Sequence, residues 1–381
     1  MMRTMTTHLA VAVIAAMFLA GAVYAEDDAA QEPDIPALVA QLAGPKYYER
    51  EYALTTLLNN SDKATPAMLA ALESADYNTR IAAVKFFDAK ATPEFCPQLL
   101  EILKRSKETE VVAGLSRILA HQGRKDAVEQ IRALFADRRP AVLAAAVDSL
   151  AVLGDRDSAA TIALLLNDDF SEVRVAAAKA LAAFRAVDLG KDVFAAFEKE
   201  KIPEVQRALV ESLGELKFAG AVPPLLEAIK DEHSPIFLPA VYALAKIGGD
   251  EARDALVSLL MNSKDLEMLS LASSALGVMG ESAVPALEAE LPALKDDLDG
   301  RFKILSAFGK MGKYVIPYLI AFIENEPYPI WRGQAGDKLR AIIKREYGED
   351  IDFIPAYDDP DKTTQEKIAQ LKQWWEEHKS K

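Results

Sequence analysis

Cysteine is almost absent from this chain. The single thiol, Cys96, leaves no partner for an intramolecular disulfide. Standing just before Pro97, it reads as a small apolar residue at the start of a structural unit. Histidine is scarce too, and His8, His121, His233 and His378 are far apart, with no HExxH or Cys/His spacing that would hold zinc. The segment 309–313 lacks the spacer and the Ser/Thr of a phosphate loop. A calcium loop aligned on Gly300 would place Lys295 and Ser306 at its first and twelfth ligand positions, where both are wrong. The acidic cluster Asp350, Asp352, Asp358, Asp359 and Asp361 reads as a solvated linker, and no Gly-x-Ser-x-Gly is present. These absences leave no catalytic residue, no metal ligand and no cofactor-binding residue to expect, and argue against an enzyme. Positive charge is in deficit: 44 Lys and Arg stand against 58 Asp and Glu, a net −14. That argues against a general nucleic-acid binder, which needs cationic surface to displace phosphate counterions.

Long apolar runs are missing as well, except one. Residues 9–25 are apolar, follow a short segment carrying Arg3, and end in Val23-Tyr24-Ala25 before an abrupt acidic turn at Glu26. This is the order of a cleaved export signal. No Cys follows the run, which argues against a lipid-attached bacterial protein. The alternative is a membrane anchor through residues 9–25, although seventeen residues fall short of the roughly 20 that span a bilayer. Residues 26–34 read as an acidic linker. Export to the periplasm or the medium is the expectation, with no membrane insertion once the signal is removed.

What the chain has in abundance is Ala and Leu in a fixed beat. Leu57, Phe87, Leu119, Leu150, Leu181, Leu213, Leu244, Leu276, Phe308 and Leu339 follow one another at steps of 30 to 32 residues. A period in this range marks a solenoid of stacked units. The punctuation repeats with it. Pro36, Pro66, Pro97, Pro223, Pro285 and Pro317 are expected to open first helices, where a missing N–H does no harm. Gly123, Gly154, Gly248, Gly280 and Gly312 each lie four residues after an anchor, where a helix end favours positive φ. In the fifth unit, residues 161–166 read as the core of a first helix and residues 171–184 as a longer second one. The expected architecture is all-α: about ten helical hairpins over residues 35–350 and a tail over 351–381.

Sliding the units over one another separates faces. The anchor column is apolar throughout and reads as core. Two residues earlier stand Thr55, Lys85, Arg117, Asp148, Lys179, Glu211, Tyr242, Ser274, Ser306 and Asp337, all polar or amphipathic. Two positions on a helix lie on opposite sides, so this column is expected to face solvent, on the concave side of a curved array. Lys85, Arg117 and Lys179 make its first half positive. The segments 233–239 and 327–332 insert paired prolines beside aromatics. Phe237 and Tyr242 are therefore expected to offer aromatic contact to a partner.

Residues 169–181 and 222–231 resemble HEAT repeats, closest to the bacterial type also found in phycobilisome lyase subunits. The resemblance covers roughly residues 35–347 and implies an α-α superhelix. It also implies an Asp in the turn inside each repeat, bonded from unit to unit with an Arg near the start of the second helix. In this chain that column reads Arg50, Arg80, Val112, Leu143, Arg174, Gln206, Phe237, Leu269, Arg301 and Arg332. Half the units keep the Arg, which reads as structural, and the ladder is expected to break elsewhere. The tail, with Asp352-Phe353-Ile354-Pro355 and Gln373-Trp374-Trp375-Glu376, is similar to the ends of exported bacterial HEAT-like proteins. Thr363 and Glu366 have capping-box spacing, so a final helix is expected either to cap the array or to dock a partner through its tryptophans.

These readings converge on a monomeric, non-enzymatic scaffold of the bacterial cell envelope, holding a protein or peptide along the concave face, with an acidic segment expected near Lys85, Arg117 and Lys179. The alternatives are a lyase-like or chaperone-like helper, which the lyase-subunit resemblance implies, and a membrane-tethered spacer.

Overall fold

A computed structural model describes residues 32–294 and 297–380. The segment read as an export signal, residues 1–25, and residues 26–31 of the acidic linker lie outside the described residues. Every regular element among the described residues is a helix. By its internal contacts the chain divides into two compact units, Met1–Ile131 and Arg132–Lys381.

In the first unit three hairpins follow one another. They pair α1 (Ile35–Gln41) with α2 (Tyr47–Asn59), α3 (Ser61–Ala71) with α4 (Tyr77–Lys90), and α5 (Cys96–Arg105) with α6 (Thr109–His121). The second helices α2, α4 and α6 stack in succession. The unit boundary falls within the short α7 (Val128–Ala133), which α8 (Pro140–Leu153) follows in the chain. The second unit continues with α9 (Ala159–Leu164), α10 (Ser171–Phe184), α11 (Gly190–Lys199), α12 (Pro203–Glu215), α13 (Val222–Ala228) and α14 (Phe237–Ile247). It ends with α15 (Asp250–Met261), α16 (Leu266–Met279), α17 (Val284–Glu290), α18 (Leu298–Lys310), α19 (Ile316–Asn325), α20 (Pro329–Tyr347) and α21 (Asp361–His378). Ten hairpins and a final helix are thus present among the described residues, and in the second unit α8, α10, α12, α14, α16, α18 and α20 stack one on the next.

All ten anchors have no exposed surface. From Leu181 to Leu339 they belong to one apolar cluster that runs through the second unit's hairpins to Trp374. A hairpin has two apolar sides and can cover neither alone, so each anchor is buried by the neighbouring hairpin. At the far end the neighbour is α21, which packs on α19 and buries Ile368, Leu371 and Trp374. The Trp374 indole N–H donates to Glu349 at 2.7 Å, and its ring stacks on His378 at 4.4 Å. The tail helix is therefore a cap. It begins at Asp361, after Pro360, so Thr363 does not start it. Thr364 is instead buried against the loop, its hydroxyl donating to the Asp359 carbonyl.

Helix ends follow one rule. The carbonyls of Leu119, Leu150, Leu181 and Leu213 each accept a backbone N–H from five residues on, closing a turn that needs a left-handed residue one place earlier. Gly123 and Gly154 fill that place with φ of 67° and 70°. In the next two hairpins, where no glycine stands, Arg185 and Lys217 are held at 52° and 51°. The geometry belongs to the position rather than to glycine. Gly248 and Gly280 also have positive φ, but Gly312 lies at −82°. There α18 passes into extended backbone at Met311, and no left-handed residue is required. Pro66 also departs from expectation. Because α3 already starts at Ser61, Pro66 lies inside it, whereas Pro36, Pro97, Pro223, Pro285 and Pro317 each stand in a first turn.

The Arg column forms a ladder, though its partners differ from those the resemblance implied. Arg174 donates to the Asp168 and Asp169 carbonyls behind it and, through Nε at 2.7 Å, to Glu200 in the next hairpin. Arg301 likewise joins the Leu294 carbonyl to Glu326, and Arg80 joins the Ser74 and Ala75 carbonyls to Glu108 and Glu110. Arg50 and Gln206 keep the backward bond, to Gly44 and Glu200 carbonyls. The forward acceptor is thus a glutamate, whose longer reach also lets Glu200 accept the N–H groups of Lys201 and Ile202. Val112, Leu143, Phe237 and Leu269 fill the same buried place with hydrocarbon. Burial pushes the Glu200 carboxyl up, but Arg174 and the two N–H groups outweigh it and hold it below the usual range.

Gly154→Ala meets no atom within 4 Å, so its penalty is backbone strain alone, about 1–2 kcal/mol. Arg185→Gly relieves the same strain and is expected to stabilise by about 0.5–1 kcal/mol; urea denaturation should shift in opposite directions for the two. Arg174→Leu strands a buried carboxylate and is expected to cost about 3–5 kcal/mol, with much of this recovered by adding Glu200→Ser. Serine already stands at the matching place opposite Phe237, as the buried Ser263. Because the Glu200 carboxyl is depressed on folding, its contribution is full above the usual carboxylate range and fades as pH falls through and below it. Glu200→Gln should therefore flatten the acid limb of the stability profile.

Candidate functional site

The stripe read from the sequence is accessible along its length. Thr55, Lys85, Arg117, Lys179, Glu211 and Asp337 are exposed, and Asp148, Tyr242, Ser274 and Ser306 are half-buried. The structure does not gather it into one site. In the first unit Lys85 lies 3.5 Å from Glu51 and lines a small recess of about 100 Å³ with Tyr47 and Arg50. Its charge is therefore partly answered within the fold. Arg117 is exposed on α6 and also interacts within the protein.

Lys179 and Tyr242 do come together. They line a cleft of about 430 Å³ over the second helices α10, α12 and α14. Arg207, Glu211, Leu238 and Lys246 complete its working surface. Each helix contributes residues one turn apart: Arg207, Glu211 and Glu215 from α12, and Leu238, Tyr242 and Lys246 from α14. This spacing aligns them on one face. Lys246 is paired with Glu215 at 2.6 Å. Lys179 and Arg207 form no ion pair among the described residues, so with Glu211 the cleft keeps one net positive charge on a strongly acidic chain. Leu238 is 54% exposed beside it. The cleft combines free cations, an exposed aliphatic side chain and an aromatic ring, the mixture found at protein-binding surfaces.

Two aromatic expectations need correction. Phe237 is buried in the second unit's core, and so is Trp331. Phe237 stands at the Arg-column place, which faces the stack, and the two prolines reshape the turn without turning the ring outward. It cannot offer contact to a partner in this conformation. Arg207, Leu238 and Lys246 were missed because charge was followed along one column. Looking one helical turn to either side of Glu211 and Tyr242 finds all three. The first unit carries a further aromatic surface: Tyr47, Tyr48, Tyr52 and Tyr77 are all exposed, with Arg50 and Arg80 about 6 Å from the rings of Tyr47 and Tyr77. Among the described residues no cluster of His, Cys, Asp or Glu is placed to hold a metal, and no helix is long and apolar enough to cross a membrane. Cys96 is buried, its thiol donating to the Thr92 carbonyl.

The HEAT-repeat family model matches residues 96–182, 158–241 and 190–277 in overlapping windows. No curated protein matches the chain. Kap121p bound to RanGTP shares the fold, with 15% identity and a TM-score of 0.51 over 88% of this chain and 44% of that one. The complex of CpcE and CpcF of phycocyanin lyase from Nostoc sp. PCC7120 is 20% identical over 60% of this chain and 95% of that one, with a TM-score of 0.36.

Proposed function

The chain is a HEAT-repeat protein, and from that premise we propose that it is a non-enzymatic interaction scaffold that seats an acidic peptide segment of a partner protein on its second-helix face. The observation that carries this reading is the cleft over α10, α12 and α14, where Lys179 and Arg207 form no ion pair among the described residues and stand beside Leu238 and Tyr242. A fixed array of helices loses little freedom on binding, which favours its use as a preorganised surface. The net negative charge elsewhere repels an acidic segment and so concentrates it at this local positive patch. The fold is compatible with such a use, since Kap121p, which shares it, is seen bound to a protein, RanGTP. The chemistry-bearing side chains His121, His233 and His378 stand on different hairpins or turns, and no site in this reading calls for catalysis. The same proposal places the protein in the bacterial cell envelope, exported through residues 1–25.

Charge reversal of Lys179 and Arg207 to Glu together is expected to weaken a partner purified with the mature protein by on the order of tenfold or more at low salt, mainly through slower association. The difference should shrink as salt is raised, because exposed charges are screened beyond about 8–10 Å. Unchanged affinity in the double variant would move the site away from this cleft. For the location, N-terminal sequencing of protein made in its own host is expected to begin at Glu26. Recovery of an intact Met1 in the membrane fraction would point to an anchor instead.

A further inference from the structure

The first-helix side of the second unit holds another cleft, of about 350 Å³, walled by Glu288 and Leu291 from the segment of α17 and by Tyr318 and Phe322 from α19. Tyr318 and Phe322 are four residues apart, so their rings share one face of α19. The floor includes the ladder pair Arg301 and Glu326. Both of these charges are already answered. Arg301 bonds Glu326 and the Leu294 carbonyl, and Glu326 also accepts the Tyr328 N–H. Glu288 is different. It is half-buried, and its carboxylate makes no hydrogen bond or ion pair among the described residues. Burial alone acts on it and pushes its carboxyl above the usual range.

We infer that this cleft binds a monovalent organic cation, an alkylammonium or guanidinium group, with Glu288 as its counter-ion and the rings of Tyr318 and Phe322 as its walls. Each alternative class of ligand fits worse. An anion would meet an unanswered negative charge. A hard metal ion wants several oxygen ligands, and only one carboxylate here is uncommitted. A neutral apolar ligand would complete the burial of Glu288 without pairing it, which is strongly unfavourable. An organic cation satisfies the carboxylate, and its hydrocarbon or planar surface is attracted to aromatic rings, more so when desolvated. The site is independent of the second-helix cleft, so it stands or falls separately from the scaffold reading.

The cation could arrive as a free small molecule or as a Lys or Arg side chain of another protein, and two sets of probes separate these sources. Butylammonium and N-acetyl-arginine amide serve as free cations. Capped Gly-Arg-Gly and Gly-Lys-Gly peptides present the same groups on a chain, and N-acetyl-glutamine amide is the neutral control. Binding to the mature chain is read by saturation-transfer NMR and calorimetry at low salt. The expected result is that cations bind and the neutral control does not. Glu288→Gln, which keeps the shape, should weaken binding about tenfold or more, and Phe322→Leu by a smaller factor. Binding of the free cations identifies a small-molecule pocket; binding of the peptides alone identifies a seat for a partner's basic side chain. Should Glu288→Gln fold poorly, the unmodified protein supplies the test. Affinity should fall as pH is lowered from neutral into and through the usual carboxylate range, as the carboxyl takes up its proton. Absence of binding by every cation, equal binding by Glu288→Gln, or affinity that ignores pH over that interval would overturn the proposal.

Discussion

Everything in this protein depends on one residue per repeat being covered by the next repeat. An anchor such as Leu181 sits on a helix whose own hairpin shields one side of it, and the other side is dry because the neighbouring second helix lies against it. Stability of this kind is a sum of nearest-neighbour seams, with no single centre. It explains why small side chains dominate. Alanines at 176, 177, 178 and 180 surround Leu181 and let adjacent helices approach. It explains the cap as well. Without α21, α19 would present its apolar side to water, and the Ile368, Leu371 and Trp374 row meets that requirement with the same helical spacing as the repeats themselves.

A second constraint acts at the Arg-column place, which is buried or half-buried in every hairpin. Two chemical solutions occur there. A polar side chain can be buried if each of its donors is answered, as Arg174 and Arg301 are by turn carbonyls behind and a glutamate ahead. A hydrocarbon needs no answer, as with Leu143 and Leu269. The polar solution links neighbouring hairpins through directed bonds, while the apolar one links them through contact alone. Seams of both kinds occur along the second unit, and the geometry of the stack tolerates either.

Much of this was legible because the repeat averages over its own exceptions. Ten anchors in register outweigh any one substitution, and the accessible column two residues away followed from helix geometry. Leu181 and Lys179 fell on the sides expected of them. The failures have a common physical origin. Phe237 was taken for a surface aromatic because prolines flank it, although its register placed it with the buried Arg column. Register decides burial in a stack, and local backbone irregularity does not. The glutamate acceptors were hidden because their offset from the arginine varies with turn length: Glu200 follows Arg174 by 26 residues, Glu326 follows Arg301 by 25, and Glu110 follows Arg80 by 30. The cleft itself was half-legible. Lys179, Glu211 and Tyr242 lay in the column, and Arg207, Leu238 and Lys246 lay one turn away, where a single-column reading cannot see them. Glu288 gave no signal at all, since an acid on a first helix looks solvated until the neighbouring helix closes over it.

The closeness of one seam turns the second unit into a ruler. At Gly214 the backbones of α12 and α14 approach so nearly that a Cβ would lie 2.8 Å from the Ala243 Cα. Helices in such contact are about 8–10 Å apart, and that spacing separates like positions of consecutive repeats. An extended chain advances about 3.3 Å per residue. A strand laid across the stack therefore meets a new repeat at about every third residue. If the second-helix face seats an extended peptide, as proposed, its contacts would recur with a three-residue cadence, set by the thickness of a helix rather than by any side chain of the cleft.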